Sequence, residues 1–142
     1  MTLMIDAAPL VAFMDRRDPM QPEVARLLHS ETGELVLPAQ VSAEVDYMAR
    51  RRLGRAAATA FLRDLAGARF RVACLEEPEY ETLLSTDRKY SDLDVGLADL
   101  SIVVLARRFR TQRVLTFDLR HFRALRPLDG GRFQLLPADG QD

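Results

Sequence analysis

Residues 95–109, VGLADLSIVVLARRF, read as a helix that is apolar on almost every face. Such a helix is stable in water only when other elements cover it all round, so the chain must build layers about it. One position resists that burial. Asp99 has Ile102, Val103 and Ala106 as its i+3, i+4 and i+7 neighbours, and no arginine of the same helix reaches back to it. An ionised carboxylate buried without a partner costs several kcal/mol, so Asp99 needs a cation, a cluster of donors or a cavity.

The elements around this helix follow from periodicity and breakers. Leu3 to Ile5 is a short apolar strand that stops at Asp6, and Ala7 to Met14 reads as a helix. Asp6 therefore stands at a strand–helix junction, where it either caps the helix or serves a site. A second helix spans Glu23 to Ser30, and a strand from Glu34 to Leu37 follows the break at Gly33. Pro38 suits the first turn of a helix running to about Leu53, whose core stripe is Val41, Val45 and Met48. Glu44 lies on the margin of that stripe, toward the working edge, while Asp46 points to water.

Further along, Arg55 to Ala66 is a helix, Phe70 to Leu75 a strand, and Glu77 to about Lys89 a helix with acids at its dipole-favoured end. Ser91, Asp92 and Asp94 offer N-caps for the buried helix. The strand Arg113 to Phe117 ends on Asp118, with Thr116 and Asp118 on one side by the period of two. Leu119 to Leu125 is a short helix, Arg132 to Leu136 a last strand, and 138–142 a polar tail.

Composition narrows the class. A chain of 142 residues, 48% apolar and 29% charged, suits one domain over 1–142 with a real core. No apolar run approaches the roughly 20 residues that span a bilayer, so no membrane is expected. MTLMID carries no basic or cleavable apolar segment, and the single Cys74 precludes an internal disulfide or a cysteine-based metal site; a cytoplasmic location is expected. The net charge of −1 argues against a general nucleic-acid coat. Lys89 is the only lysine among 20 basic residues, and the run Arg50, Arg51, Arg52 and Arg55 is either a solvated face or a phosphate contact.

Strands alternating with helices indicate an α/β fold with a mostly parallel sheet, whose ligand site lies beyond the carboxyl ends of the strands. Asp6 and Asp118 stand at two such ends. Glu44 and Asp99 lie in the first halves of helices, near the same edge. Four carboxylates converging without lysine or histidine repel one another, and a hard divalent cation, Mg²⁺ or Mn²⁺, resolves that repulsion. Such a cation polarises a phosphoryl oxygen and activates water, which points to phosphodiester hydrolysis.

The segments LMID, LVLPAQVSAEVDYMARRRLG, YSDLDVGLADLSIVVLARR and VLTFDLRHF resemble, in order and spacing, the PIN-domain ribonucleases that form the toxin half of VapBC-type toxin–antitoxin pairs. The resemblance maps the acidic site onto Asp6, Glu44, Asp99 and Asp118, and gives Thr116 the role of holding a metal-bound water. Asp92 matches a recurrent acid and ranks below the four because capping explains it. Serine or threonine usually follows the first aspartate in the family, whereas this chain has Ala7 and Ala8, which removes a supporting hydroxyl but no ligand. The resemblance further implies a three-layer α/β/α fold, a homodimer, an RNA substrate and a cognate antitoxin laid across the helices of Glu23 to Ala66. Arg50, Arg51, Arg120 and His121 are candidate phosphate contacts, or simply surface residues.

Two rival enzymes fail on single positions. A haloacid-dehalogenase-like phosphatase needs a second aspartate where Ala8 stands, and a receiver domain needs a lysine on a late strand, which Lys89 is not. The remaining alternative is a catalytically weak or inactive PIN-like module that binds RNA or a partner.

Overall fold

The computed structural model describes residues 1–140; of the expected tail 138–142, residues 141 and 142 lie outside the described residues. The chain runs β1 (Leu3–Ile5), α1 (Ala7–Met14), α2 (Gln21–Ser30), β2 (Leu35–Pro38), α3 (Ala39–Arg52), α4 (Arg55–Ala66), β3 (Arg71–Ala73), α5 (Glu77–Lys89), α6 (Leu97–Arg108), β4 (Arg113–Leu115), α7 (Leu119–Ala124) and β5 (Gln134–Leu136). Every element expected from the sequence is present. β1 has the expected bounds and β2 is shifted by one residue; β3, β4 and β5 are shorter than expected, because only residues that pair with a neighbour remain in the sheet.

All five strands are parallel, in the order β3-β2-β1-β4-β5. Met4 is the register anchor, opposite Val36 on one side and Val114 on the other. With right-handed crossovers, the connections β1–β2–β3 and β3–β4–β5 run in opposite directions and cover opposite faces of the sheet, giving three layers. The order reverses between β1 and β4. That junction is the switch point, where α/β sheets open a crevice at the carboxyl ends.

The core is continuous through the sheet and α6. Leu3, Met4, Ile5, Val36, Val114, Leu115 and Leu135 are inaccessible, and Leu100 through Ala106 of α6 are buried. The end of α6 is less covered than its sequence suggests: Leu97 is 50% exposed. Pro38 closes β2 and precedes the first helical residue, so it ends a strand as well as opening α3. Gly54, at φ 97°, turns the chain between α3 and α4 in a conformation that disfavours any residue with a Cβ.

The segment after β5 folds back. The Asp139 side chain accepts from the Leu135 amide at 2.8 Å and pairs with Arg123. Among the described residues no helix is long and apolar enough to cross a membrane.

Candidate metal centre

Asp6 is carried to the switch point by β1, with its amide donating to the Leu115 carbonyl at 2.9 Å. Its two oxygens do different things. Oδ1 accepts from the Ala7 amide at 2.8 Å, capping α1, and Oδ2 accepts from the Thr116 hydroxyl at 2.7 Å. Burial pushes the Asp6 pKa up; the bonds from Thr116 and Ala7 offset part of that, and the charge of Asp118 adds to it. Capping and membership of an acidic cluster are thus not alternatives for Asp6.

Thr116 lies one residue past β4, held by its amide to the Leu136 carbonyl at 3.0 Å. Its hydroxyl donates to Asp6 and accepts from the Asp118 amide at 3.0 Å, so it ties the two strand-end acids together. A hydroxyl absent at positions 7 and 8 therefore reaches Asp6 from the neighbouring strand. Thr116→Val preserves shape and removes both bonds. The expected result is a loss of activity of about 10- to 100-fold with little change in fold, measured by initial cleavage rates alongside far-UV circular dichroism.

Asp118 caps α7, accepting from the His121 amide at 3.1 Å through Oδ1. Asp99 stands in the first turn of α6 with its side chain 19% exposed. Its pKa is raised to about 6, first by burial and then by the charges of Asp6 and Asp118; His121 opposes this and Glu44 adds to it. Glu44 on α3 is more open to solvent, and its pKa is raised by burial and by Asp6. Asp99 therefore feels the other three acids at the carboxyl edge of the sheet. A cavity of about 480 Å³ lined by Glu31, Arg113 and Gln134 opens at the other edge, away from them.

The cluster departs from expectation in one respect that matters: it contains a histidine. His121 Nδ1 lies 2.8 Å from Asp118 Oδ2 and 3.5 Å from Asp99 Oδ2. The sequence leaves His121 to a phosphate contact or the surface and has the acids converge without a histidine. The reason for the difference is local. Asp118 and His121 are separated by three residues in the first turn of α7, so they share a face. That Asp-x-x-His spacing was the available signal.

Asp92 and Asp94 do not cap the buried helix. Gly96 occupies the N-cap, and Asp94 has a left-handed backbone, φ 49°, instead of the extended one a cap requires. Asp92 is exposed in the turn before it, and its charge is not among those acting on Asp99. Asp46 does not simply face water, because it pairs with Arg50 at 3.0 Å, one helical turn away. Arg51 and Arg120 are exposed.

The family model of the PIN domain matches residues 3–126. The chain belongs to the PIN-domain family. It is 41% identical over 135 residues to Ribonuclease VapC26 of Mycobacterium tuberculosis, covering 95% of this chain and 100% of that protein. The fold is similar to the crystal structure of M. tuberculosis VapC20, a toxin that cleaves the sarcin–ricin loop, with a TM-score of 0.75, 19% identity and coverage of 82% of this chain and 89% of that one. It is also similar to VapBC2 from Rickettsia felis bound to a DNA fragment of its promoter, at a TM-score of 0.66, 16% identity and coverage of 88% and 93%.

PIN domains use divalent metal ions, and the donor set of this PIN domain fits one. Asp99, Asp118 and His121 each bring one ligand atom to within 4.8 Å of the others. No arginine or lysine pairs with Asp6, Glu44, Asp99 or Asp118 among the described residues. Burial first, and then repulsion from neighbouring acids, raise Asp6, Glu44 and Asp99, and a bound cation would offset both.

Proposed function

We propose that the chain is one PIN domain acting as a metal-dependent endoribonuclease, the toxin of a type II toxin–antitoxin pair. The observation that carries this is the gathering of Asp6, Glu44, Asp99 and Asp118 at the strand-order switch point, three of them with raised pKa values. The 41% identity to a ribonuclease over nearly the full chain supports RNA as the substrate.

Asp6, Asp99 and Asp118 would hold Mg²⁺ or Mn²⁺, with Glu44 completing the negative site from α3. When bound, the cation would polarise the scissile phosphate and make a water easier to deprotonate. Thr116 fixes the orientation of Asp6, and the Asp118 cap on α7 fixes that of Asp118. Glu44, the most accessible acid, is placed to accept a proton from the attacking water. Arg51 and Arg120 are exposed and available to steer the RNA backbone, with Arg50 partly committed to Asp46.

An antitoxin fits the first-half helices. Tyr47 on α3 is 63% exposed and Leu62 on α4 is 44% exposed, an apolar surface that a partner segment covers. A homodimer is the working unit that the family resemblance implies. The alternative of an inactive binding module rested on Ala7 and Ala8, and Thr116 supplies a hydroxyl to Asp6 in their place.

The test is cleavage of RNA by the purified protein with EDTA, with Mg²⁺ and with Mn²⁺. Cutting is expected only with a metal. Equal rates in EDTA would remove the metal mechanism, and no cutting of any RNA with either metal would favour the binding module.

A further inference from the structure

Within the metal centre, one contact has the wrong geometry for the role its distance suggests. His121 Nδ1 is 2.8 Å from Asp118 Oδ2, a hydrogen-bond distance, yet the nitrogen is buried and has no hydrogen-bond partner among the described residues. Its proton or lone pair is not directed at that oxygen. Two electronegative atoms this close without a shared proton repel each other, unless a cation lies between them.

The spacing is that of ligands around one cation. At a metal–ligand distance of about 2.1 Å in an octahedral shell, neighbouring ligand atoms lie roughly 3.0 Å apart. The 2.8 Å and 3.5 Å separations from Nδ1 to the Asp118 and Asp99 oxygens bracket that edge. The Asp118 cap on the His121 amide locks the carboxylate and the imidazole onto one side of α7. A carboxylate and a histidine three residues apart on a helix recur in di-metal carboxylate sites for the same geometric reason.

We propose that His121 is a nitrogen ligand of the metal in this PIN domain, and that it biases the site toward Mn²⁺ over Mg²⁺. The inference rests on the metal-centre reading given above. Mg²⁺ demands oxygen ligands and parts reluctantly with its water, whereas imidazole nitrogen suits the transition metals. The carboxylates bind either ion; the imidazole tips the choice.

The chain has only two histidines, which makes the test clean: His29, exposed at the end of α2, is the control. The full-length protein is stripped with EDTA, loaded with Mn²⁺ and examined by pulsed electron paramagnetic resonance for nitrogen coupling to the ion. Coupling is expected in the wild type and in His29→Gln, with the isotope shift on ¹⁵N-histidine labelling, and its loss is expected in His121→Gln. Calorimetric titration is expected to show Mn²⁺ affinity falling about tenfold in His121→Gln while Mg²⁺ affinity stays within about twofold. If His121→Gln does not fold, the labelled wild type compared with His29→Gln decides alone. Mn²⁺ bound without nitrogen coupling overturns the histidine ligand and leaves the nuclease reading standing. Absence of Mn²⁺ binding, together with cleavage in EDTA, overturns the metal centre itself.

Discussion

Asp99→Asn is expected to abolish RNA cleavage and, in the same molecule, to stabilise the metal-free fold. The loss of activity follows from removing one charged group at the centre of the acidic cluster. It should reach a factor on the order of 10³, the upper range for deleting one charge-stabilising group from an active site. The gain in stability has the same origin. Asp99 has a folded-state pKa of about 6 against an ordinary value of 3.8, so the folded protein holds that proton more tightly than the unfolded chain does. The cost of the buried charge is therefore absent below the unfolded value. It grows between pH 3.8 and about 6 and is fully present above that.

Two pKa units correspond to about 3 kcal/mol at most, and the partial exposure of the side chain reduces this to about 1–2 kcal/mol. Urea unfolding in EDTA is expected to find the variant more stable than the wild type at about pH 7.5, with the gap closing toward about pH 4. Saturating Mn²⁺ should reverse the order, since it stabilises only the protein that binds it. A variant that still cuts RNA, or that is less stable than wild type in EDTA at the higher pH, would sink this account. Stability surrendered at a functional acid is a common trade in active sites.

The second large effect lies at the opposite edge of the sheet. Arg113 opens the inner strand β4 and is buried; its guanidinium pairs with Glu31 at 2.6 Å, the two side chains being 11% and 7% exposed. Glu31 also accepts from the Gly33 amide at 2.8 Å. Burial pushes the Glu31 pKa up, but the bonds from Arg113 and Gly33, with the charges of Arg113 and the N-terminus, outweigh it and hold the group below its ordinary 4.5. Glu31→Ala leaves the Arg113 charge uncompensated in the interior and is expected to cost about 3–5 kcal/mol, a large share of a typical 5–15 kcal/mol stability.

Replacing both partners with apolar residues, Glu31→Leu with Arg113→Met, is expected to restore most of that stability, because desolvation of the pair offsets much of its attraction. A double-mutant cycle by denaturant unfolding measures the coupling. A depressed glutamate contributes stability above its unfolded value, lost as pH falls through its folded one. The gap between wild type and Glu31→Ala should therefore narrow below pH 4.5. A single mutant within about 0.5 kcal/mol of wild type would show that the pair is not acting as a buried unit.

Local chemistry made most of the fold legible. The alternation of short apolar strands with helices specified an α/β sheet, because the inner strands are covered on both faces and most helices show a core stripe. Asp6 and Asp118 were readable as strand-end acids, since the period of a strand and the start of the next helix locate them within a residue. Boundaries were less legible. A strand ends where pairing ends, and pairing depends on a neighbour distant in sequence: Val36 meets Arg71, and Arg113 meets Gln134.

By itself, then, the sequence determined the layers, the acids and the need for a partner beside Asp99, because burial cost and periodicity act through neighbours along the chain. Only the tertiary structure decided which groups meet. It set Thr116 against Asp6 across 110 positions, Arg113 against Glu31 across 82, and His121 beside an aspartate from another helix. Those contacts depend on strand order and helix placement, which pack distant residues together with no trace in local pattern. For Asp99 this is why the missing partner was evident before the fold, and the imidazole beside it was not.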